Sequence, residues 1–300
     1  MISLAVSSVR RPDSFYLILS IVKKTILVIG ATGNQGRSVI RALSKYPTFA
    51  VRGLVRDSKS ESAKRLSQAG VELVQGDLDD RKSLEKAMKG VYGVFSYQNM
   101  NDGVQKEEER GKRVAHAAKL SEIPHLIYSS VGGADRNPGV SYFRSKWRIE
   151  TFIKELELPN YTIFRPVAFM DNFAMGHRDM VLSYFRSSLK EKPVQMIAVA
   201  DIGKWVARAF SEYDPYQFQE IEIAGDELTY AQIEAAYLKV EGKKPATVPV
   251  PRALLMGDMG KLYTWMWKEG YQADLQFCRE TIKDMLTFEQ WLTLKHRGAL

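Results

Sequence analysis

The stretch Thr25-Ile26-Leu27-Val28-Ile29-Gly30-Ala31-Thr32-Gly33-Asn34-Gln35-Gly36 decides how the rest of this chain is read. Its first half is an unbroken apolar run rich in β-branched residues, as expected of a strand buried on both faces of a parallel sheet. Its second half sets three glycines at Gly-x-x-Gly-x-x-Gly spacing. Directly afterwards Val39, Leu43 and Tyr46 recur at helical spacing. Glycines placed between a buried strand and a helix start permit a tight turn and a close backbone approach to a ligand. The first helical N–H groups and the helix dipole then favour an anion there. The motif therefore predicts a turn that receives the pyrophosphate of a dinucleotide.

Outward from this turn, strand and helix alternate. Strands are expected at Thr25–Ile29, Ala50–Val55, Val71–Val74, Val91–Ser96, His125–Tyr128 and Tyr161–Phe164, with helical stretches between them. This spacing predicts an α/β fold: a doubly wound parallel sheet of Rossmann type with helices on both faces. The pattern changes after Arg165-Pro166. Two short strands, Val194–Ile197 and Glu220–Ile223, flank a helix around Trp205. Thr229 with Gln232, and Thr287 with Gln290, each read as a capping box, and Gly242 as a stop. The second half is expected to form a smaller, mainly helical C-terminal lobe over the carboxyl ends of the strands. There Trp205, Trp265 and Trp267 would build its core.

Composition narrows the functional classes. The chain has 300 residues, 45% hydrophobic and 26% charged, with a formal net charge of +8. Part of that excess lies in Arg10, Arg11, Lys23 and Lys24 at the start. What remains suits an anionic small ligand. No basic stripe argues for nucleic acid. The densest charge cluster, Lys106 to Arg113, mixes signs and reads as a solvated helix face. The apolar run Phe15–Val22 is too short to span a bilayer, so no membrane partner is expected. Cys278 is the single cysteine and cannot form an intrachain disulfide; it is expected half-buried in a helix. His116, His125, His177 and His296 lack metal-ligand spacing, so no metal is expected. The protein is expected in the cytoplasm. The basic, nearly acid-free tail at residues 1–22 reads as an organelle transit peptide or, at least as readily, as a disordered extension or the product of a start codon set too far upstream.

The end of the second strand speaks to cofactor choice. An NAD site usually carries an acid about 20 residues beyond the turn, where it accepts from the ribose hydroxyl. Here the residue is Arg56. A guanidinium can grip a 2′-phosphate that a carboxylate would repel. Arg37, at the helix start, can assist. NADP is therefore favoured over NAD, with Asp57 as the residue that would reverse the preference.

Taken together, Gly30 to Gly36, Val55-Arg56-Asp57, Gln75 to Asp80, Tyr128 to Val131, Ser145-Lys146-Trp147, Arg165 to Phe173 and Leu286 to Trp291 resemble the NmrA-like family. That family is an atypical branch of the short-chain dehydrogenase/reductases. The resemblance runs from about Lys24 to the final helix. It implies a tail at 1–23 and one domain at 24–300. Within that domain, 24–166 would be the dinucleotide-binding core and 167–300 mostly a substrate or partner lobe. It further implies that Gly30, Ala31, Thr32, Gly33, Asn34 and Gln35 cradle pyrophosphate and that Arg56 meets the 2′-phosphate. Asp77, Asp80 and Arg81 would lie near adenine, and Gln98 and Asn99 near the ribose. Phe169, Met170, Asp171 and Asn172 would flank the nicotinamide.

One motif separates enzyme from sensor. Tyr142 and Lys146 stand four apart, a spacing that puts both on one face of a helix. With Ser129 upstream they resemble the Ser–Tyr–Lys triad of active short-chain reductases. In that reading Lys146 holds the ribose and lowers the tyrosine pKa, Tyr142 exchanges a proton with the substrate oxygen, and Ser129 polarises that oxygen. Ser130 is the alternative to Ser129, since neighbours on a strand face opposite ways. Two functions follow. One is an NADP(H)-dependent oxidoreductase acting on a small carbonyl, enone or quinone-like molecule. The other is a non-catalytic NADP(H) redox sensor whose occupancy controls a protein partner. The oligomeric state is left open.

Overall fold

The computed structural model describes residues 23–300 apart from 137–138, 175, 177, 190, 247 and 251–255. The tail read at 1–22 lies outside the described residues. The first half alternates as β1 (Lys24–Val28), α1 (Asn34–Leu43), β2 (Phe49–Val55), α2 (Glu61–Gln68), β3 (Glu72–Gln75), α3 (Arg81–Met88), β4 (Gly93–Ser96), α4 (Val104–Leu120), β5 (His125–Ser129), α5 (Ser141–Glu155) and β6 (Tyr161–Pro166). The second half adds β7 (Ala168–Phe169), α6 (Arg178–Leu189), β8 (Val194–Ile197), α7 (Val199–Ser211), β9 (Gln219–Ile223), β10 (Asp226–Leu228), α8 (Tyr230–Glu241), α9 (Asp258–Lys268), α10 (Leu275–Thr281) and α11 (Phe288–His296).

Seven strands form one sheet in the order β3-β2-β1-β4-β5-β6-β9, and every neighbouring pair is parallel. The chain moves outward from β1 in one direction through β2 and β3, then crosses back to β4. That reversal opens a crevice at the carboxyl ends of β1 and β4, where such sheets receive ligands. Side chains of β1 alternate between two buried layers. Ile26 and Val28 pack with Val39, Leu43, Ile202 and Trp205 of α1 and α7; Leu27 and Ile29 pack with Leu84, Val114, Ala118 and Ile149 of α3, α4 and α5.

The second half does not stand apart from this sheet. Strand β9 pairs with β6 as its far edge. Helix α7 lies directly on α1. A Cβ on Gly203 would stand 2.3 Å from the carbonyl oxygen of Ser38. Ser38 Oγ donates to Ala200 O (3.0 Å) and accepts from Gly203 N (3.1 Å). The remainder forms the lobe. A small sheet, β10-β8-β7, and helices α6, α8, α9 and α11 enclose a second core of Phe173, Tyr184, Tyr237, Trp265, Phe288 and Trp291.

Three residue expectations change. Trp205 belongs to the main core, beside Phe164, and not to the lobe. Trp267 is 52% exposed, because α9 turns its Trp265 face inward instead. Cys278 is fully buried, not half-buried. Both capping boxes form, and Gly242 ends α8 in the left-handed conformation. Among the described residues no helix is long and apolar enough to cross a membrane.

Candidate functional site

The glycine turn folds the start of α1 back onto the end of β1. Gly30 has φ +68°. Its carbonyl accepts from Gly33 N at 2.9 Å. Gly36 then passes so close that a Cβ there would sit 2.1 Å from the Gly30 carbonyl oxygen. No side chain caps α1 and its first turn carries no acid. Its leading N–H groups are left facing the crevice with the positive end of the helix dipole. A phosphate fits this cradle. Arg37 reaches back to Asn34 Oδ1 at 2.7 Å, which holds its guanidinium at the helix start.

Arg56 follows β2, is exposed, and has no side-chain partner among the described residues. Asp57 is spoken for. Its Oδ1 accepts from Lys59 N (2.8 Å) and its carbonyl accepts from Ser60 Oγ (3.0 Å), so its carboxylate shapes the β2–α2 turn. The acids after β3 behave alike. Asp77 Oδ1 accepts from Asp79 N (2.8 Å), Asp80 Oδ1 accepts from Lys82 N (2.9 Å) as the cap of α3, and Arg81 pairs with Glu85 (2.7 Å). All three side chains are engaged within their own turn and helix.

At the end of β4 the ring of Tyr97 lies against Gly30, 3.4 Å from where a Cβ would be. Gln98 turns inward: it is buried and donates to Ser96 Oγ at 3.0 Å. Asn99 is exposed and accepts from Asn101 N at 3.1 Å. Behind this turn Lys146 of α5 is buried and ion-paired to Glu107 of α4 at 3.0 Å, and it donates to Gln98 O at 3.3 Å. Ser145 Oγ also donates to Glu107. The solvated-face reading of Lys106–Arg113 therefore fails at Glu107, which is 1% exposed. It lies on the same buried stripe of α4 as Gly111, Val114, Ala115 and Ala118. That stripe was the available signal for Glu107, which the sequence reading missed.

Ser129, at the tip of β5, is buried and donates to Gln35 Oε1 of the glycine loop at 2.7 Å. Ser130 faces away and donates to buried Glu150. Of the two serines, Ser129 is thus the one at the crevice. Tyr142 lies on the lobe side, half-buried against Phe143 (5.1 Å between ring centroids) and the lobe's core. Burial first, and then the nearby charge of Asp258, hold its phenol well above the ordinary tyrosine pKa. Asp258 itself accepts from Ser141 N at 3.0 Å, which fastens α9 to the start of α5. Among the described residues no hydrogen bond joins Ser129, Tyr142 and Lys146.

Beyond β6, Phe169 is half-buried and Met170 is buried in the lobe. Asp171 Oδ2 accepts from Val199 N at 2.9 Å and so caps α7, while Asn172 is exposed. The paired glycines Gly132 and Gly133 are roofed by the lobe. A Cβ on Gly132 would stand 2.8 Å from the Tyr271 ring, and one on Gly133 would stand 2.4 Å from Trp265. Among the described residues no group of His, Cys, Asp and Glu could hold a metal ion.

Comparison with known proteins places this arrangement. The model of the NmrA-like family matches residues 22–288. An NmrA-like family domain-containing oxidoreductase, ptmS of Penicillium ochrochloron, is 26% identical, over 89% of this chain and 84% of its own. Another, malD of Malbranchea aurantiaca, is 25% identical over 74% of each. Among solved structures, the NADPH-dependent quinone oxidoreductase QOR2 of Escherichia coli, complexed with NADPH, superposes with TM-score 0.74 at 21% identity, covering 90% of this chain and 99% of its own. NmrA, a negative transcriptional regulator, gives 0.73 at 19%, covering 93% and 98%. At these identities the structures share the fold, and the family model spans nearly all of it; the chain belongs to the NmrA-like family.

Proposed function

We propose that this chain binds NADP(H) at the Gly30–Gly36 turn and transfers hydride between NADPH and a small carbonyl or quinone-like substrate. One observation carries the binding half: Gly36 has no room for a side chain, and the free helix start beside it faces the crevice. The preference for the phosphorylated cofactor rests on Arg56 standing free while the Asp57 carboxylate is held in its own turn. Relatives named as oxidoreductases, and a fold shared with reductases solved with NADPH, support the redox half. When bound, NADPH supplies the hydride.

The chain's own residues supply the rest. Gly30 to Gln35 and Arg37 would hold the pyrophosphate, and Arg56 the 2′-phosphate. Ser129, whose hydroxyl donates to Gln35 of the glycine turn, would lie behind the reacting groups. Tyr142, held protonated by its surroundings, would give the proton to the substrate oxygen from the lobe side. The roof of Trp265 and Tyr271 would keep water from the reacting face.

A second reading, a sensor that signals NADP(H) occupancy to a protein partner, has one observation in its favour. The Lys146 charge is matched by Glu107, and the charge beside Tyr142 is Asp258 rather than Lys146. Calorimetric titration with NADPH, beside NADPH oxidation against a panel of quinones and aldehydes, separates the readings. Binding with turnover supports the enzyme, and binding without turnover supports the sensor. Gly36→Ala should abolish binding in either case, because its Cβ would meet backbone. A Gly36→Ala variant that binds normally would remove the pyrophosphate assignment.

A further inference from the structure

Strand β9 carries a carboxylate that the proposed chemistry does not use. Glu222 lies beside Arg165 in the β6–β9 register. Its side chain is only 9% exposed. Oε1 accepts from the backbone N–H of Gly133 at 2.7 Å and from Arg136 Nη2 at 2.7 Å. Oε2 accepts from the backbone N–H of Gln272 at 2.8 Å. One buried carboxylate therefore joins three parts of the chain: the edge strand, the loop after β5, and the segment that leads into α10.

The two backbone donors sit where the lobe meets the site. Gly133 lies four residues beyond Ser129 and under Trp265, with φ +77°. Gly132 is wedged between Val167, after β6, and Tyr271, next to Gln272. Arg136 spans the same joint, its guanidinium 5.7 Å from the Trp265 ring centroid and its Nη2 donating to Gly270 O at 3.5 Å. No contact in this group touches the glycine turn. Charge-assisted bonds to a buried carboxylate are among the stronger ones a protein makes, and a single acceptor serving two backbone segments couples their positions.

We infer that Glu222 is a positioning residue for the substrate side of the site: it fixes the 131–136 loop beneath the Trp265–Tyr271 roof, and has no part in holding the dinucleotide. The inference rests on the oxidoreductase reading for the word substrate, and on the geometry alone for the clamp. Loss of the carboxylate should free the loop and the 270–273 segment together while leaving the pyrophosphate turn intact. Glu222→Gln is the informative change. It keeps the size and one acceptor oxygen, but turns an NH2 toward one of the two backbone donors.

The test compares wild type, Glu222→Gln and Arg136→Ala by amide hydrogen exchange, NADPH calorimetry and quinone kinetics. In Glu222→Gln, peptides covering 131–136 and 270–273 should exchange about tenfold faster, with the β1–β4 peptides unchanged. NADPH affinity should stay within about threefold, while KM for the quinone rises more than kcat falls. Arg136→Ala leaves both backbone donors on Glu222 and should keep the protection. Unchanged exchange in Glu222→Gln would overturn the clamp. So would protection lost across the whole sheet, or NADPH affinity falling as far as KM rises, since either marks a general structural role. If wild type oxidises NADPH with neither quinones nor aldehydes, the oxidoreductase reading falls, and the exchange pattern with the NADPH affinity still decides Glu222.

Discussion

The Lys146 ammonium stands 3.0 Å from the Glu107 carboxylate, and both side chains are almost wholly buried between α4 and α5. Two opposite charges so placed compensate each other where water does not reach them. Removing one partner strands the second in a poorly solvated site, at a cost of about 3–5 kcal/mol. Lys146→Met and Glu107→Gln should each destabilise the fold by about that much in urea melts, and the double variant should recover much of the loss. Single changes costing less than about 1 kcal/mol would mean that the pair behaves as a solvated one.

Arg56→Ala should narrow the preference for NADPH over NADH. Arg56 is exposed and unpartnered among the described residues, while the neighbouring acid is held by the Lys59 N–H. A lost charge-assisted contact to a phosphate is worth about 1.5–3 kcal/mol, or about tenfold to a hundredfold in affinity. Calorimetry with both cofactors reads it directly. Equal affinities in wild type would remove Arg56 from the site. Tighter NADH binding would return the ribose position to Asp57.

Much of the sheet was legible because its inner strands are buried on both faces. Runs such as Thr25–Ile29 are apolar without interruption, and every strand through β6 falls within two residues of its expected start. Strand β9 was visible as a strand, but its half-exposed pattern did not say which sheet it joins. Its pairing with β6 is long-range, and no local signal carries it. The glycine turn was legible for the opposite reason, since its constraint is local: Gly36 must clear Gly30. The triad was not. Spacing put Tyr142 and Lys146 on one helix, but their partners come from distant segments, Glu107 of α4 and Asp258 of α9. A mixed-sign run hid Glu107, because only the positions of α4 that recur every three or four residues turn to the core, and the charged neighbours between them face solvent.

His125 makes stability depend on pH. It is fully buried in β5, between the rings of Phe210 and Tyr213. Thr162 Oγ1 gives its proton to Tyr216 O, so His125 Nε2–H is the donor in the 2.8 Å contact with Thr162. Burial lowers its pKa from 6.5 to about 3. Between those values the unfolded chain binds a proton that the fold refuses. This contribution is therefore complete above pH 6.5 and declines as pH falls, by about 1.4 kcal/mol per unit, until about pH 3. His125→Phe keeps a ring and removes the proton site. Urea melts from pH 7 to 5 should show a shallower decline for the variant; parallel declines would refute the assignment.

Tyr142 separates the two functional readings. Its ring is half-buried at the lobe's edge near Asp258, and both features favour the protonated form. As the proton donor of a reductase it would stay protonated throughout the ordinary working range, so kcat should show no alkaline loss from this group up to about pH 10, the free phenol's own pKa. Tyr142→Phe should leave NADPH affinity within a few-fold, because the phosphates are assigned to the glycine turn and Arg56 while Tyr142 packs on the lobe's core. Turnover should fall by about 10²–10⁴, the usual contribution of a positioned general acid. In a sensor, wild type binds NADPH and oxidises none of it, and Tyr142→Phe changes nothing. Robust reduction that survives Tyr142→Phe would keep the oxidoreductase and discard this donor. Ser129 would then be the group to test, since its hydroxyl is the one that Gln35 holds at the crevice. Ser129→Ala should in that event remove the turnover that Tyr142→Phe left intact.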